Sequence, residues 1–433
     1  MFGVTVRVKA ASVVVVLGVL ASAQTPLVPP IDSERADRLT GLYAFEDGSR
    51  FHVTDLRDLL GGSPTLSITE YASGRLRALF PNEGGFSAGS GWFRRDPVSF
   101  AVAFDETTRH PASLVWEEKG IRRTARRVAM EERRFVVTHE GARLAGTLTV
   151  PPGPGPHPAV VLIPGSGPLT RRTPRYMGDL LTAYGIAALT VDKRGTGEST
   201  GSWNALSHRE WAADVHAQLD WLARQPGIDP SRLGIVAGSE GGFVGPVVAA
   251  ERKDVRVLVC RVCSALPHPE VILDMESAAM RRAGLSEPDI ARGVALLRQL
   301  MRFALEGTDY ARVLSAASGG EGARWREAVR LRTIPPENGA YWNTYRGVLA
   351  VDPRDHYRRL TIPVLAILGE RDERLLIDKH RAAFNVLREG AIPITLWEVP
   401  GASHGLLLDE STHPGYPPGF HDRLASWLAS QLR

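Results

Sequence analysis

The sequence predicts an α/β protein with a mostly parallel, doubly wound sheet, a helical cap insertion and a small β-rich domain at its N-terminus. Three observations predict it. From residue 159 onward, short apolar runs alternate with segments of helical period, as in successive βαβ units. Residues 267–350 interrupt that alternation with one helical stretch after another. Residues 32–130, by contrast, carry short β-type runs divided by turn residues.

Residues 1–23 combine the cations Arg7 and Lys9, the apolar run Val13–Leu20 and the small residues Ala21-Ser22-Ala23, which are the three parts of a secretory signal peptide. Cleavage is expected after Ala23, giving a secreted or periplasmic protein. The apolar run is shorter than the roughly 20 residues that cross a bilayer, so no stable membrane span is expected after cleavage. Gln24 would follow the cut, so no lipid-bearing cysteine would start the mature chain. Pro26, Pro29 and Pro30 mark residues 24–31 as a linker.

Residues 24–130 form the small β-rich N-terminal domain. Its strands are expected at 41–45, 50–53, 64–71, 75–80, 98–104, 113–116 and 121–127, making a small antiparallel sheet or barrel that reads as a structural attachment. A second, larger domain is assigned to residues 131–433. It opens with strands near 134–138 and 144–150. Further strands are expected at 159–163, 186–191, 233–238, 255–260, 362–368 and 392–399, and helices near 176–184, 209–224, 241–251, 378–389 and 419–432. Within the cap, about 267–350, Ser286-Glu-Pro-Asp289 has the form of a helix start. Val294, Leu296, Leu297, Leu300 and Met301 then continue at helical spacing. Tyr310–Ala317 and Ala323–Leu331 fit further helices.

Composition is that of an ordinary globular protein, 43% apolar and 23% charged over 433 residues. The formal net charge of +4 includes Arg7 and Lys9, so the mature chain is closer still to neutral. Arginine pairs at 94–95, 122–123, 126–127 and 133–134 are spread through the β-rich part and form no concentrated basic face, which excludes a nucleic-acid partner. The two cysteines, Cys260 and Cys263, are too few for a disulfide scaffold or a four-ligand zinc site. They read as small apolar residues at a strand end, with a short-loop disulfide as the alternative in an oxidising compartment.

The segment Arg232-Leu-Gly-Ile-Val-Ala-Gly-Ser-Glu-Gly-Gly-Phe243 runs a strand into a serine and then into a helix start. It has the pattern of a nucleophile elbow, where small residues two before and two after the serine let strand and helix backbones approach. Those neighbours are Ala237 and Gly241; alanine stands where glycine is usual. A serine nucleophile needs a base, and the base needs a carboxylate to orient it. Asp372 follows the strand 362–368, and His404 follows the strand 392–399. Glu370 is the rival acid. His413 and His421 are alternative histidines, each expected at the surface.

This order of Ser239, Asp372 and His404 resembles the α/β-hydrolase superfamily, specifically its secreted bacterial serine esterases with a helical cap. Four further segments carry the resemblance over residues 131–433: Ala159-Val-Val-Leu-Ile-Pro-Gly-Ser-Gly-Pro168, Thr190-Val-Asp-Lys-Arg-Gly-Thr-Gly-Glu-Ser199, Pro226-Gly-Ile-Asp-Pro-Ser-Arg-Leu233, and Tyr341-Trp-Asn-Thr-Tyr345 before Asp352-Pro353. The resemblance implies a small-molecule carboxylic ester as substrate, an acyl-enzyme intermediate, and no metal or organic cofactor. It implies oxyanion donors in the amide of Glu240 and in the loop 164–167, where Ser166 is preferred to Gly165. Asp192-Lys-Arg-Gly-Thr-Gly-Glu198 lacks the spacing of a phosphate-binding loop and reads as structural, with Asp192 and Arg194 tying loops near the site. The alternatives are a serine peptidase of the prolyl-oligopeptidase type, whose usual propeller would not fit the short N-terminal region, or an inactive hydrolase-fold binding protein.

Overall fold

The computed structural model describes residues 28–318, 323–329, 333–409 and 414–433. The expected signal peptide at 1–23, the first half of the linker and His413 lie outside the described residues.

After a short helix, α1 (Ser33–Leu39), nine strands form one antiparallel sheet: β1 (Gly41–Ala44), β2 (Arg50–Asp55), β3 (Leu66–Glu70), β4 (Leu76–Ala78), β5 (Phe80–Asn82), β6 (Gly85–Gly89), β7 (Val98–Phe104), β8 (Ser113–Glu118) and β9 (Ile121–Arg127). Their spatial order is β4-β3-β2-β1-β9-β8-β7-β6-β5. The two outermost strands are separated in sequence by Leu79 alone, so the sheet must curl until its ends meet. The expected single run 75–80 is therefore two strands, broken where the chain passes from one end of the sheet to the other. Tyr43, Phe51, Phe86, Phe100 and Trp116 fill the interior.

The second sheet has eight strands: β10 (Glu131–His139), β11 (Ala142–Val150), β12 (His157–Ile163), β13 (Ala187–Val191), β14 (Ile228–Gly238), β15 (Val255–Arg261), β16 (Val364–Gly369) and β17 (Ile394–Val399). Their order is β10-β11-β13-β12-β14-β15-β16-β17. Pairing is antiparallel from β10 through β11 to β13 and parallel across the rest. In β12, Ala159, Val161 and Ile163 enter one apolar cluster while Val160 and Leu162 enter the other. That alternation is what a strand buried on both faces requires. The first cluster includes residues of α3 (His208–Leu222), α4 (Gly245–Glu251) and α11 (Ile377–Glu389); the second includes residues of α2 (Arg175–Ala183) and α12 (Phe420–Gln431). A reciprocal capping box between Ser207 and Glu210 starts α3.

Between β15 and β16 the chain forms α5 (His268–Arg282), α6 (Glu287–Glu306), α7 (Tyr310–Ala317), α8 (Arg324–Ala328), α9 (Tyr341–Leu349) and α10 (Pro353–Tyr357). Ser286 caps α6 by accepting from the amide of Asp289. Helix α8 is shorter than the expected 323–331, part of which lies outside the described residues. Helices α5 to α9 share a core of their own built on Ile272, Leu296, Leu300, Phe303 and Trp342.

The N-terminal sheet docks on α2. Tyr71 donates to the carbonyl of Tyr176 at 2.6 Å, His52 Nε2 lies 3.0 Å from Asp179 Oδ2, and Asp58 accepts from the amide and hydroxyl of Thr170. His421, expected at the surface, is fully buried on the inner face of α12. It packs edge-on against Tyr71, Tyr176 and Tyr416, because the apolar stripe of this helix runs through its position. Among the described residues no helix is long and apolar enough to cross a membrane.

Candidate active site

The carboxyl ends of the parallel strands carry the three predicted side chains, each on the turn that leaves its strand. Ser239 begins where β14 stops, with φ +50°, a left-handed conformation that costs a side-chain-bearing residue energy and marks an over-determined position. The crowding around it explains its neighbours. A Cβ added at Gly241 would stand 2.8 Å from the carbonyl oxygen of Pro164 and 2.9 Å from that of Ile163. Ala237 is tolerated two residues before the serine because Gly245 faces it; a Cβ at Gly245 would come within 3.1 Å of the alanine methyl.

Asp372 follows β16 and is held by its own turn, Oδ1 accepting from the amides of Arg374 (2.9 Å) and Leu375 (2.8 Å). His404 follows β17. The two turns meet because Gly369 leaves room: a Cβ there would lie 2.3 Å from the carbonyl oxygen of Ser403. The ring of His404 bridges the other two residues, with Nε2 2.9 Å from Ser239 Oγ and Nδ1 2.8 Å from Asp372 Oδ2. Glu370, the rival acid, is engaged elsewhere and accepts from the amide of Gly401 at 2.6 Å. Glu373 accepts from the amide of His404.

Ser239 and His404 open onto a cavity of about 560 Å3. One side is formed by strand-end residues, including Ser166, Gly167, Lys193 and Glu240. The opposite wall comes from α5, α9 and the segment before α9, with Ile272, Met275, Ile334, Pro336, Tyr341 and Tyr345. Trp203, Trp211 and Phe243 add to its apolar and aromatic character. The loop lies close to the serine: a Cβ built on Gly165 would meet Ser239 Cβ at 3.3 Å.

A polar cluster borders the serine that sequence reasoning missed. Lys193 Nζ donates to the carbonyl of Gly165 (3.0 Å), lies 3.5 Å from Glu240 Oε2 and sits 4.0 Å above the ring of Trp211. Glu240 Oε1 is 3.5 Å from His208 Nε2, and the ring of His208 stacks on Phe243. Burial pushes the Glu240 carboxyl upward, but Lys193 and His208 outweigh it and hold the group well below the usual range. Burial pulls Lys193 down, opposed by Glu240. His268, removed from water and repelled by His208, is pulled down to about 4. Lys193 lies inside the motif read as structural. The flanking Asp192 and Arg194 do tie loops, Asp192 to Arg171 and Arg194 to Asp214, and only the lysine between them turns to the site. Cys260 and Cys263 are both free and buried, with Cys260 Sγ 3.1 Å from the Tyr357 hydroxyl.

Residues 160–415 match the model of the alpha/beta hydrolase family. The chain belongs to that family. Among similar proteins is esterase EstD of Thermotoga maritima, 28% identical over 239 residues, which are 53% of this chain and 50% of that one. An uncharacterized 31.7 kDa protein of Escherichia coli is 32% identical over 114 residues, 26% of this chain and 39% of its own. The thiohydrolase aneE of Aspergillus aculeatus is 27% identical over 148 residues, 34% of this chain and 46% of its own. The chain thus spans half or less of the length of these relatives. Solved structures with a similar fold include an esterase of Pyrococcus furiosus (16% identity, TM-score 0.43, 70% of this chain and 90% of that one). Another is a proline iminopeptidase of Mycobacterium smegmatis (21%, 0.44, 69% and 99%).

Proposed function

We propose that this chain is a secreted serine hydrolase that cleaves carboxylic esters through an acyl-enzyme intermediate. The observation that carries the reading is the relay Ser239 Oγ to His404 Nε2 to Asp372 Oδ2, 2.9 Å and 2.8 Å, opening on an apolar cavity. His404 takes the serine proton as Ser239 attacks the acyl carbon, then returns it to the leaving alcohol. Asp372 fixes the imidazole tautomer, and a water activated by the same histidine releases the acid. The amides of Glu240 and Ser166 receive the negative oxygen of the tetrahedral intermediate. Helices α5 to α9 serve as the cap, residues 1–23 as the export signal, and the β domain as a structural attachment. No residue of that domain lines the cavity among the described residues, which supports that last role. The esterase and thiohydrolase relatives support acyl transfer as the chemistry.

A mostly apolar site of this volume favours short and medium acyl chains. The test is a panel of p-nitrophenyl esters and aminoacyl p-nitroanilides with purified protein. Acetate to octanoate should be cleaved much faster than palmitate or any anilide. Faster turnover of the anilides would instead make the chain a peptidase.

A further inference from the structure

We propose that Lys193 is a positioning residue of the oxyanion hole, holding the Gly165–Ser166 peptide by its carbonyl while it is itself held by Glu240. The inference rests on the reading above, in which Ser166 and Glu240 supply the two amides.

The Gly165 carbonyl and the Ser166 amide belong to one planar peptide unit. It is trans, since the cis bonds of the described chain precede Pro97 and Pro156. In a trans unit the C=O and N–H point in opposite directions. A donor that fixes the carbonyl oxygen therefore fixes where the Ser166 N–H aims. Lys193 Nζ is that donor, at 3.0 Å. An ionised donor makes the stronger kind of hydrogen bond, and it polarises the peptide so that the N–H on its far side donates better. The unit lies against the nucleophile, as the 3.3 Å separation between a Gly165 Cβ and Ser239 Cβ requires.

The lysine has little freedom of its own. It is 6% exposed, its ammonium rests on the face of Trp211, and Glu240 Oε2 lies 3.5 Å away. Glu240 is also the residue after the nucleophile, so one cation ties together the two segments whose amides must converge on the same oxygen. A charged pair beside an apolar cavity costs desolvation energy and is weak evidence of a stabilising role. Holding two donors in register for a charge that appears only in the transition state gives that cost a use.

Lys193→Met keeps the stem against Trp211 and removes the ammonium. With p-nitrophenyl butyrate, kcat should fall about 10- to 100-fold, less than for outright loss of an oxyanion donor, while KM changes less than about threefold. The inhibition constant of an alkyl trifluoromethyl ketone, which forms a tetrahedral adduct on the serine, should rise by the same factor as kcat falls. Binding of the matching ether, which forms no adduct, should not change. The acyl-enzyme carbonyl stretch should move to higher wavenumber as its hydrogen bonds weaken. Should Lys193→Met not fold, Glu240→Gln keeps the backbone amide and releases the lysine; a loss in kcat of about three- to tenfold at constant KM is expected. Unchanged kcat and ketone inhibition in either folded variant would overturn the proposal, as would a lowered melting temperature with those constants intact. Ser239→Ala separates the two ideas. If it is inactive while Lys193→Met is normal, only the lysine's role fails. If Ser239→Ala stays active, the nucleophile itself was misread.

Discussion

The two walls of the cavity are built in different ways. The strand-end wall grows out of parallel strands whose neighbours are fixed by backbone ladders, and Ser239, Asp372 and His404 each leave such a strand within a few residues. The helical wall belongs to a layer with a separate core, and α5, α9 and the segment before α9 face the cavity. Precision at the scale of a hydrogen bond belongs to the first wall, and shape belongs to the second. Substitutions in the strand-end wall should therefore damage turnover, and those in the helical wall should change which substrate is preferred.

The largest effect is expected from Asp372→Asn, which leaves the contact geometry but spoils the tautomer of His404. Losses on the order of 10⁴-fold in kcat are known for this exchange in such triads. Glu370→Gln should stay within a few-fold, because its carboxylate braces Gly401 and not the histidine. Steady-state kinetics of the two variants decides between the acids, and the reverse ranking would exchange their roles.

A second effect concerns two histidines outside the relay, one on α11 and one on α5. His380, on α11 and 1% exposed, is pulled down to about 4 by burial against the weaker opposing pull of Asp372 and Asp274. His268, the first residue of α5, is pulled to about the same value. In the unfolded chain both would titrate near the ordinary 6.5. Between pH 6.5 and 4 the unfolded state thus binds protons that the folded state refuses. The histidines' contribution to stability should fall with pH through that window and level off below 4. For His380 the full loss is about 3 kcal/mol. Urea midpoints measured from pH 7 to 4 should show the decline, with a flatter slope in His380→Gln. An identical slope in that variant would remove His380 from the explanation.

A smaller effect is expected on the helical wall. Tyr341→Ala enlarges the cavity away from the nucleophile. It should shift the preferred p-nitrophenyl ester toward longer chains by about tenfold or less in relative kcat/KM, the usual scale for added pocket contacts. Hydrolysis of the acetate should hardly change. A collapse of acetate turnover would mean that the helices help to order the catalytic groups.

The same division governs how much the amino-acid sequence disclosed. Ser239, Asp372 and His404 could be picked out because a strand, a turn and a chemically apt residue are local patterns, and their chain order does the rest. The strands β7 and β9 and the cap residue Ser286 were legible for the same reason. Lys193 was not, since its partners Gly165 and Glu240 lie 28 and 47 residues away and meet it only in the folded sheet. His421 looked like a surface residue because one polar letter on an amphipathic helix does not reveal that aromatic rings from Tyr71 and Tyr176 close over it. The split of residues 75–80 into β4 and β5 depends on the closure of the sheet, which has no local signature.

The assignment of Ser239 as nucleophile is open to a direct chemical measurement: mapping, by peptide mass spectrometry, of the residue modified by a fluorophosphonate probe. One adduct is expected, on the peptide containing Ser239. Ser239→Ala should take no label and lose several decades of activity, with a melting temperature close to that of the parent chain. An adduct on any other residue, or a Ser239→Ala variant retaining more than about a hundredth of the activity, would contradict the assignment.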